Sequence, residues 1–141
     1  MLFVTIFNTI VILLAIIIHY ECLRLLTIWM PKLTIAARLR ILVGVIGALA
    51  AHIAEIWVFG FAYYLLVHLG HGHLVNQHGA VEFLDYVYFS MTSFSTLGIG
   101  DLTPRDQLRF LAGMEALTGM VLITWTASFL YVEMQRYWES K

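Results

Sequence analysis

Three long apolar runs and one short one alternate with polar stretches along the chain. The first run covers residues 2–18 and ends at His19, Tyr20 and Glu21. A mixed stretch follows, "LRLLTIWMPKLTIAARLR", broken by Pro31. The second run covers residues 41–69. After it comes "GHGHLVNQHGA", polar and rich in histidine. "VEFLDYVYFSMTSF" is apolar again but short, and the third long run covers residues 108–134. At about 1.5 Å per residue, each long run crosses the roughly 30 Å of a hydrocarbon core as a helix. Residues 81–95 do not, because fifteen helical residues reach only about 22 Å. That segment is predicted to enter the membrane and stop partway. The third helix has a start signal: Thr103 as cap, Pro104 at the first helical position and Asp106 three residues after the cap. Between the short helix and this start lies "STLGIGDLT", which matches neither periodicity.

The pattern predicts an all-α membrane protein with three transmembrane helices and one re-entrant helix. Its parts are an N-terminal helix with a basic linker (1–40), an outer helix (41–69), a polar turret (70–80), the short helix (81–95), an irregular loop (96–101), an inner helix (104–135) and a short tail (136–141). The N-terminal run lacks a basic leader and a small-x-small cleavage site, so a retained helix is expected rather than a signal peptide.

Composition agrees. Of 141 residues, 61% are hydrophobic and 12% charged, against about half and about a quarter in soluble domains. The formal net charge is -1, which gives no footprint for nucleic acid. Cys22 is the single cysteine, so no intrachain disulfide and no CxxC site exist. Arg24, Lys32, Arg38 and Arg40, half of the eight basic residues, fall between the first two runs. The positive-inside rule then puts that segment and the C-terminus in the cytoplasm, and the N-terminus and turret outside, in a multi-pass cell-membrane protein.

Irregular backbone at membrane depth is tolerated only where it is buried in protein or lines a watery path. Gly98 and Gly100 allow the positive φ angles that turn successive carbonyls one way. Thr96 adds a hydroxyl. Rings of such oxygens replace a cation's hydration shell. The short helix also aims its partly negative C-terminal end toward the membrane centre.

"TLGIGD", residues 96–101, resembles the TVGYGD filter of potassium channels. The surrounding order is similar too: the aromatic-rich "YVYFSMTSFS", the loop, Asp101, Pro104, then an inner helix. The resemblance covers residues 45–135. It implies a homotetramer in which Thr96, Leu97, Gly98 and Ile99 offer backbone oxygens to K⁺, with Asp101 at the outer end. It implies no cofactor; K⁺ enters as the permeant ion, with Na⁺ as the alternative in a weakly selective monovalent cation channel. Two positions depart from the pattern: Leu97 replaces Val or Ile, and Ile99 replaces Tyr or Phe. The family's aromatic packs outward against the pore helix, so Tyr86, Tyr88 and Phe89 are candidates to fill the space behind Ile99.

The same resemblance turns one face of the inner helix, Val121, Thr124, Ser128 and Val132, toward the cavity. The blander reading is that the hydroxyls bond back to their own helix. Gly119 lies near the family's hinge glycine, one residue off register, and is a candidate hinge or a small residue for close packing. Glu115 is an intramembrane carboxylate and must face protein or water. The family's carboxylate behind the filter comes from the pore helix, at the position of Thr92. Glu115 is expected to take that part by bonding Thr92 or Ser93, or else to make a contact without effect on conduction.

His52 and Glu55 share a face of the second run and read as a buried hydrogen-bonded pair, since two ligands make a weak metal set. His68, His71, His73 and His78 crowd the turret, as a pH sensor, a zinc site or a solvated loop. A metal-handling protein using His19, His52, Glu55 and the turret histidines is the reading from a different class. No HExxH and no nucleophile–base pair is visible, so an enzyme is not expected. An accessory subunit that joins other channels is the third reading.

Overall fold

The computed structural model describes residues 2–77 and 79–138. It is mostly helical. Helix α1 covers Leu2–Trp29 and passes through a 3-10 turn, Met30–Lys32. Helix α2 covers Ala37–His68, and α3, the short one, Phe83–Phe94. Helix α4 covers Leu108–Trp138. Three of the four, α1, α2 and α4, are long and apolar enough to cross a membrane.

Helix α1 runs eleven residues past the end of its apolar run. His19, Tyr20 and Glu21 do not stop it because each is accommodated. His19 is buried, and Glu21 pairs with Arg24 one turn on, at 2.7 Å. The helix ends near Pro31, whose ring has no N–H to offer the carbonyl one turn back. Helix α2 likewise begins at Ala37, so Arg38 and Arg40 are helical rather than linker.

The buried residues of α1 are Val4, Asn8, Val11, Ala15, His19 and Leu23, a stripe at steps of three and four. This stripe lies against α2 and touches α4. The core itself forms where α2, α3 and α4 meet. Phe59, Tyr63 and Leu66 of α2 pack with Tyr86, Phe89 and Phe94 of α3 and with Leu108, Leu111 and Leu122 of α4. The re-entrant helix is thus held between the other two. Its start is fixed by Asp85, whose carboxylate accepts the Glu82 backbone N–H at 2.8 Å.

Thr103 and Pro104 do not start α4. They belong to a strand β2, Leu102–Pro104, antiparallel to a strand β1, Leu74–Asn76, in the turret. Val75 faces Thr103 in the register, and the Arg105 N–H extends the pairing to the His73 carbonyl at 2.9 Å. The fixed φ of Pro104 suits the end of an edge strand as well as a helix start. Asp106 then turns the chain with φ of 53°, and the helix begins at Leu108. A three-residue strand pairing across 25 intervening positions leaves no local signal in the sequence.

Candidate ion pathway

Helix α3 delivers the irregular loop. At its end the Thr96 N–H donates to the Ser93 carbonyl at 2.9 Å, and the Gly98 N–H to the Thr92 carbonyl at 3.0 Å. From there φ alternates in sign. It is positive at Thr96 (59°), Gly98 (55°) and Gly100 (89°), and negative at Leu97 and Ile99. Alternating handedness lets consecutive carbonyls project to one side, as a carbonyl-lined cation path needs. Glycine takes the left-handed region freely, whereas Thr96 is strained there by about 1–2 kcal/mol. Its hydrogen bond to Ser93 opposes that strain.

The outer end of the loop is clamped by residues the motif does not reveal. Gln77 donates its backbone N–H to the Asp101 carbonyl at 3.2 Å and its side-chain amide to the Gly100 carbonyl at 3.1 Å. This engages the Gly100 carbonyl and leaves those of Thr96, Leu97, Gly98 and Ile99. The Asp101 carboxylate accepts the Leu102 N–H at 2.9 Å and bonds the Tyr88 hydroxyl. Gln77 directly follows β1 in the turret, so its place beside the loop depends on a strand pairing that spacing does not reveal.

Tyr86 and Phe89 do not fill the space behind Ile99. Both are turned toward α2, with Tyr86 against Tyr64 at 5.8 Å between rings and Phe89 against Tyr63 at 5.0 Å. Helical spacing puts 86 and 89 on that buried face and leaves Tyr88, of the three, to reach the outer end of the loop. Leu97 and Ile99 accordingly stay 67% and 56% exposed in the single chain.

Glu115 is fully buried. Its partners are not Thr92 or Ser93. Tyr63 donates its hydroxyl to Oε2, and Ser90 meets Oε1, both at 2.5 Å. Thr92 bonds back to the Phe89 carbonyl, and Ser93 reaches the Tyr63 hydroxyl instead. The contact sequence is therefore Ser93, Tyr63, Glu115, Ser90 and the Ile56 carbonyl. The side chain leaves α4 opposite Ser90, one turn above Ser93, and the bulky Tyr63 fills the gap.

On α4, Val121, Thr124, Ser128 and Val132 form one exposed face. The Thr124 and Ser128 hydroxyls donate to the carbonyls of Met120 and Thr124, at 2.7 and 3.1 Å. Their oxygens keep lone pairs for whatever covers the face. Gly119 lies where α4 passes close to the end of α3. A Cβ at this position would strike the Phe94 carbonyl at the end of α3.

Among the described residues, the turret histidines His68, His71 and His73 do not converge. His68 bonds the Tyr64 carbonyl at 2.8 Å, His71 lies on the Phe3 ring of α1 at 5.2 Å, and His73 pairs with Asp106 at 3.2 Å. His78 and residues 139–141 of the tail lie outside the described residues.

Two spanning helices bracketing a re-entrant helix and an alternating-φ loop define a pore-loop membrane protein. Residues 51–136, more than half of the chain, match a family model described as "Ion channel". The chain belongs to this family, two-transmembrane ion channels of the potassium-channel pore type. Helix α1 lies outside the matched region. No curated protein and no solved structure matches the chain.

Proposed function

We propose that the chain is one subunit of a homotetrameric, potassium-selective channel of the cell membrane. K⁺ passes down its gradient through the backbone oxygens of Thr96, Leu97, Gly98 and Ile99, then through a cavity lined by Val121, Thr124, Ser128 and Val132. Thr92, Ser93 and Glu115 support the filter from behind. The N-terminus and turret face outward and the C-terminus faces the cytoplasm.

The observation that carries this reading is the alternation of φ over residues 96–100, flanked by two outward apolar side chains. One strand of such carbonyls cannot encircle an ion, so several chains must meet around an axis. The test is a planar-bilayer recording of the purified chain with potassium on one side and sodium on the other. A reversal potential near the potassium limit and block by barium are expected. Absence of current from the chain alone would sink the reading in favour of an accessory subunit.

A specific observation favours the second reading, a weakly selective monovalent cation channel. Ile99 brings no side-chain hydrogen bond to the filter, and Tyr86 and Phe89 are turned toward α2 rather than toward it. A reversal potential between the potassium and sodium limits decides for that reading.

A further inference from the structure

His52 and Glu55 alone are two ligands, but the fold delivers a third from a distant helix. His19 of α1 and Glu55 of α2 are wholly buried, and the His52 side chain is 13% exposed. The His19 Nδ1 lies 2.9 Å from Glu55 Oε1, and the His52 Nδ1 lies 3.0 Å from Glu55 Oε2. Both Nε2 atoms face the Thr126 hydroxyl of α4, at 3.0 Å from His52 and 3.4 Å from His19. Trp125 and Phe94 close the sides, with ring separations of 5.3 Å to His19 and 5.7 Å to His52. Cys22, one turn along α1, is engaged by the Gly47 carbonyl at 3.4 Å.

The hydrogens in this ring do not add up. Two neutral imidazoles carry one N–H each and Thr126 carries one O–H. Three hydrogens cannot fill four contacts. One contact therefore sets two lone pairs against each other inside a low-dielectric wall, which is costly. A cation resolves the deficit.

We propose that His19, His52 and Glu55 bind a divalent d-block ion, zinc being the representative case. Two imidazoles and a carboxylate are a donor set such ions favour. One ligand atom from each residue lies within 4.8 Å of the other two. Bonds near 2.0 Å at tetrahedral angles put ligand atoms about 3.3 Å apart. Each imidazole already lies within 3.0 Å of its own oxygen of Glu55, and the widest separation in the set, within 4.8 Å, closes on the ion by rotation of the two rings. With the ion on the Nδ1 side, both Nε2–H groups donate to the two lone pairs of Thr126. Ligating histidines are ordinarily held in this way by their second nitrogen. The Thr126 hydrogen is then free for the carbonyl one turn back, the arrangement Thr118, Thr124 and Ser128 adopt on the same helix. Every hydrogen finds an acceptor. The ion fastens α1, which lies outside the matched family region, to α2 and through Thr126 to α4.

The test is metal analysis of the full chain purified in detergent, loaded with zinc and freed of excess. About one zinc per chain is expected. His19→Ala and His52→Ala should each lower retention by at least about tenfold, while a chain with His68, His71, His73 and His78 replaced by Gln keeps its zinc. In that turret-replaced chain, Co²⁺ should give the visible absorption of a tetrahedral nitrogen–oxygen site. This arm needs no variant within the cluster, so a misfolded His19→Ala leaves the question decidable. Less than about a tenth of an ion per chain with no cobalt bands would overturn the proposal and leave a resident proton to close the ring. Zinc that follows the turret histidines would overturn it as well.

Discussion

Replacing Gly119 by alanine tests whether this residue is there for close packing or for bending. The new Cβ meets the carbonyl oxygen of Phe94, with the Phe94 carbonyl carbon at 2.9 Å and ring at 3.0 Å. The obstacle is backbone at the end of α3, held by the bonds of Thr96 and Gly98 to the same turn, so it cannot swing aside. Overpacking of this kind costs about 1–3 kcal/mol. The substitution also removes a glycine from a helix interior, which returns up to about 1 kcal/mol. Gly113 of the same helix separates the two terms, because nothing lies within 4 Å of a Cβ there. Gly113→Ala should therefore stabilise the chain by up to about 1 kcal/mol. Gly119→Ala should destabilise it relative to Gly113→Ala by about 1–3 kcal/mol, or about 5- to 150-fold in the unfolding equilibrium. Equilibrium unfolding in mixed micelles, followed by tryptophan fluorescence, measures both. If the two variants gain stability equally, the close approach of α4 to α3 is wrong. If, further, only Gly119→Ala lowers open probability, the hinge reading stands.

Glu115→Gln should leave stability within about 1 kcal/mol of wild type, since Gln keeps an acceptor for Tyr63 and supplies a hydrogen toward Ser90. Glu115→Ala should lose about 3–5 kcal/mol by opening a cavity and removing the carboxylate that the Tyr63 hydroxyl donates to, and equal losses for the two would contradict the network. Gly98→Ala should abolish single-channel current while leaving oligomer size in detergent unchanged, because only a left-handed position is lost; unchanged current would remove the filter assignment. Ile99→Tyr should raise the potassium-to-sodium permeability ratio from reversal potentials if an added hydrogen bond, worth about 1 kcal/mol, braces the filter. A ratio that does not rise in a normally expressed variant would place selectivity in backbone geometry alone.

The spanning helices were legible because their evidence is local. Apolar length marks α1, α2 and α4, and a run too short to cross marks α3. Their ends were less so. Nothing within the first apolar run says that His19 will find Glu55, thirty-six positions away, and without that partner a buried imidazole reads as the end of a helix. Thr103-Pro104 shows the opposite error. The local start signal is real, but β1 competes for the same backbone and wins, and the helix begins four residues later. The loop at residues 96–101 was legible as a backbone device, because alternate glycines restrict what a chain can be used for. The side chains around it were not, since Gln77, Tyr63 and Tyr88 reach it from other elements.

Two groups of polar atoms in this apolar chain bear on how it assembles. Glu55 and Glu115 are buried with partners inside the single chain. Their needs are met before any other copy arrives. Thr96, Gly98, Gly100, Thr124 and Ser128 are exposed, beside the exposed Leu97, Ile99, Val121 and Val132. Open carbonyls of irregular backbone cannot face lipid, because each unsatisfied group costs several kcal/mol there. Leu97 and Ile99 alternate with those carbonyls, so one side of the strand suits water or an ion and the other suits a protein wall. A single chain offers neither. The proposed ring of copies would offer both at once, with carbonyls turned to the axis and Leu97 and Ile99 covered by a neighbour. The polarity that makes residues 95–101 unfit for a lone subunit is the physical reason to expect association before conduction.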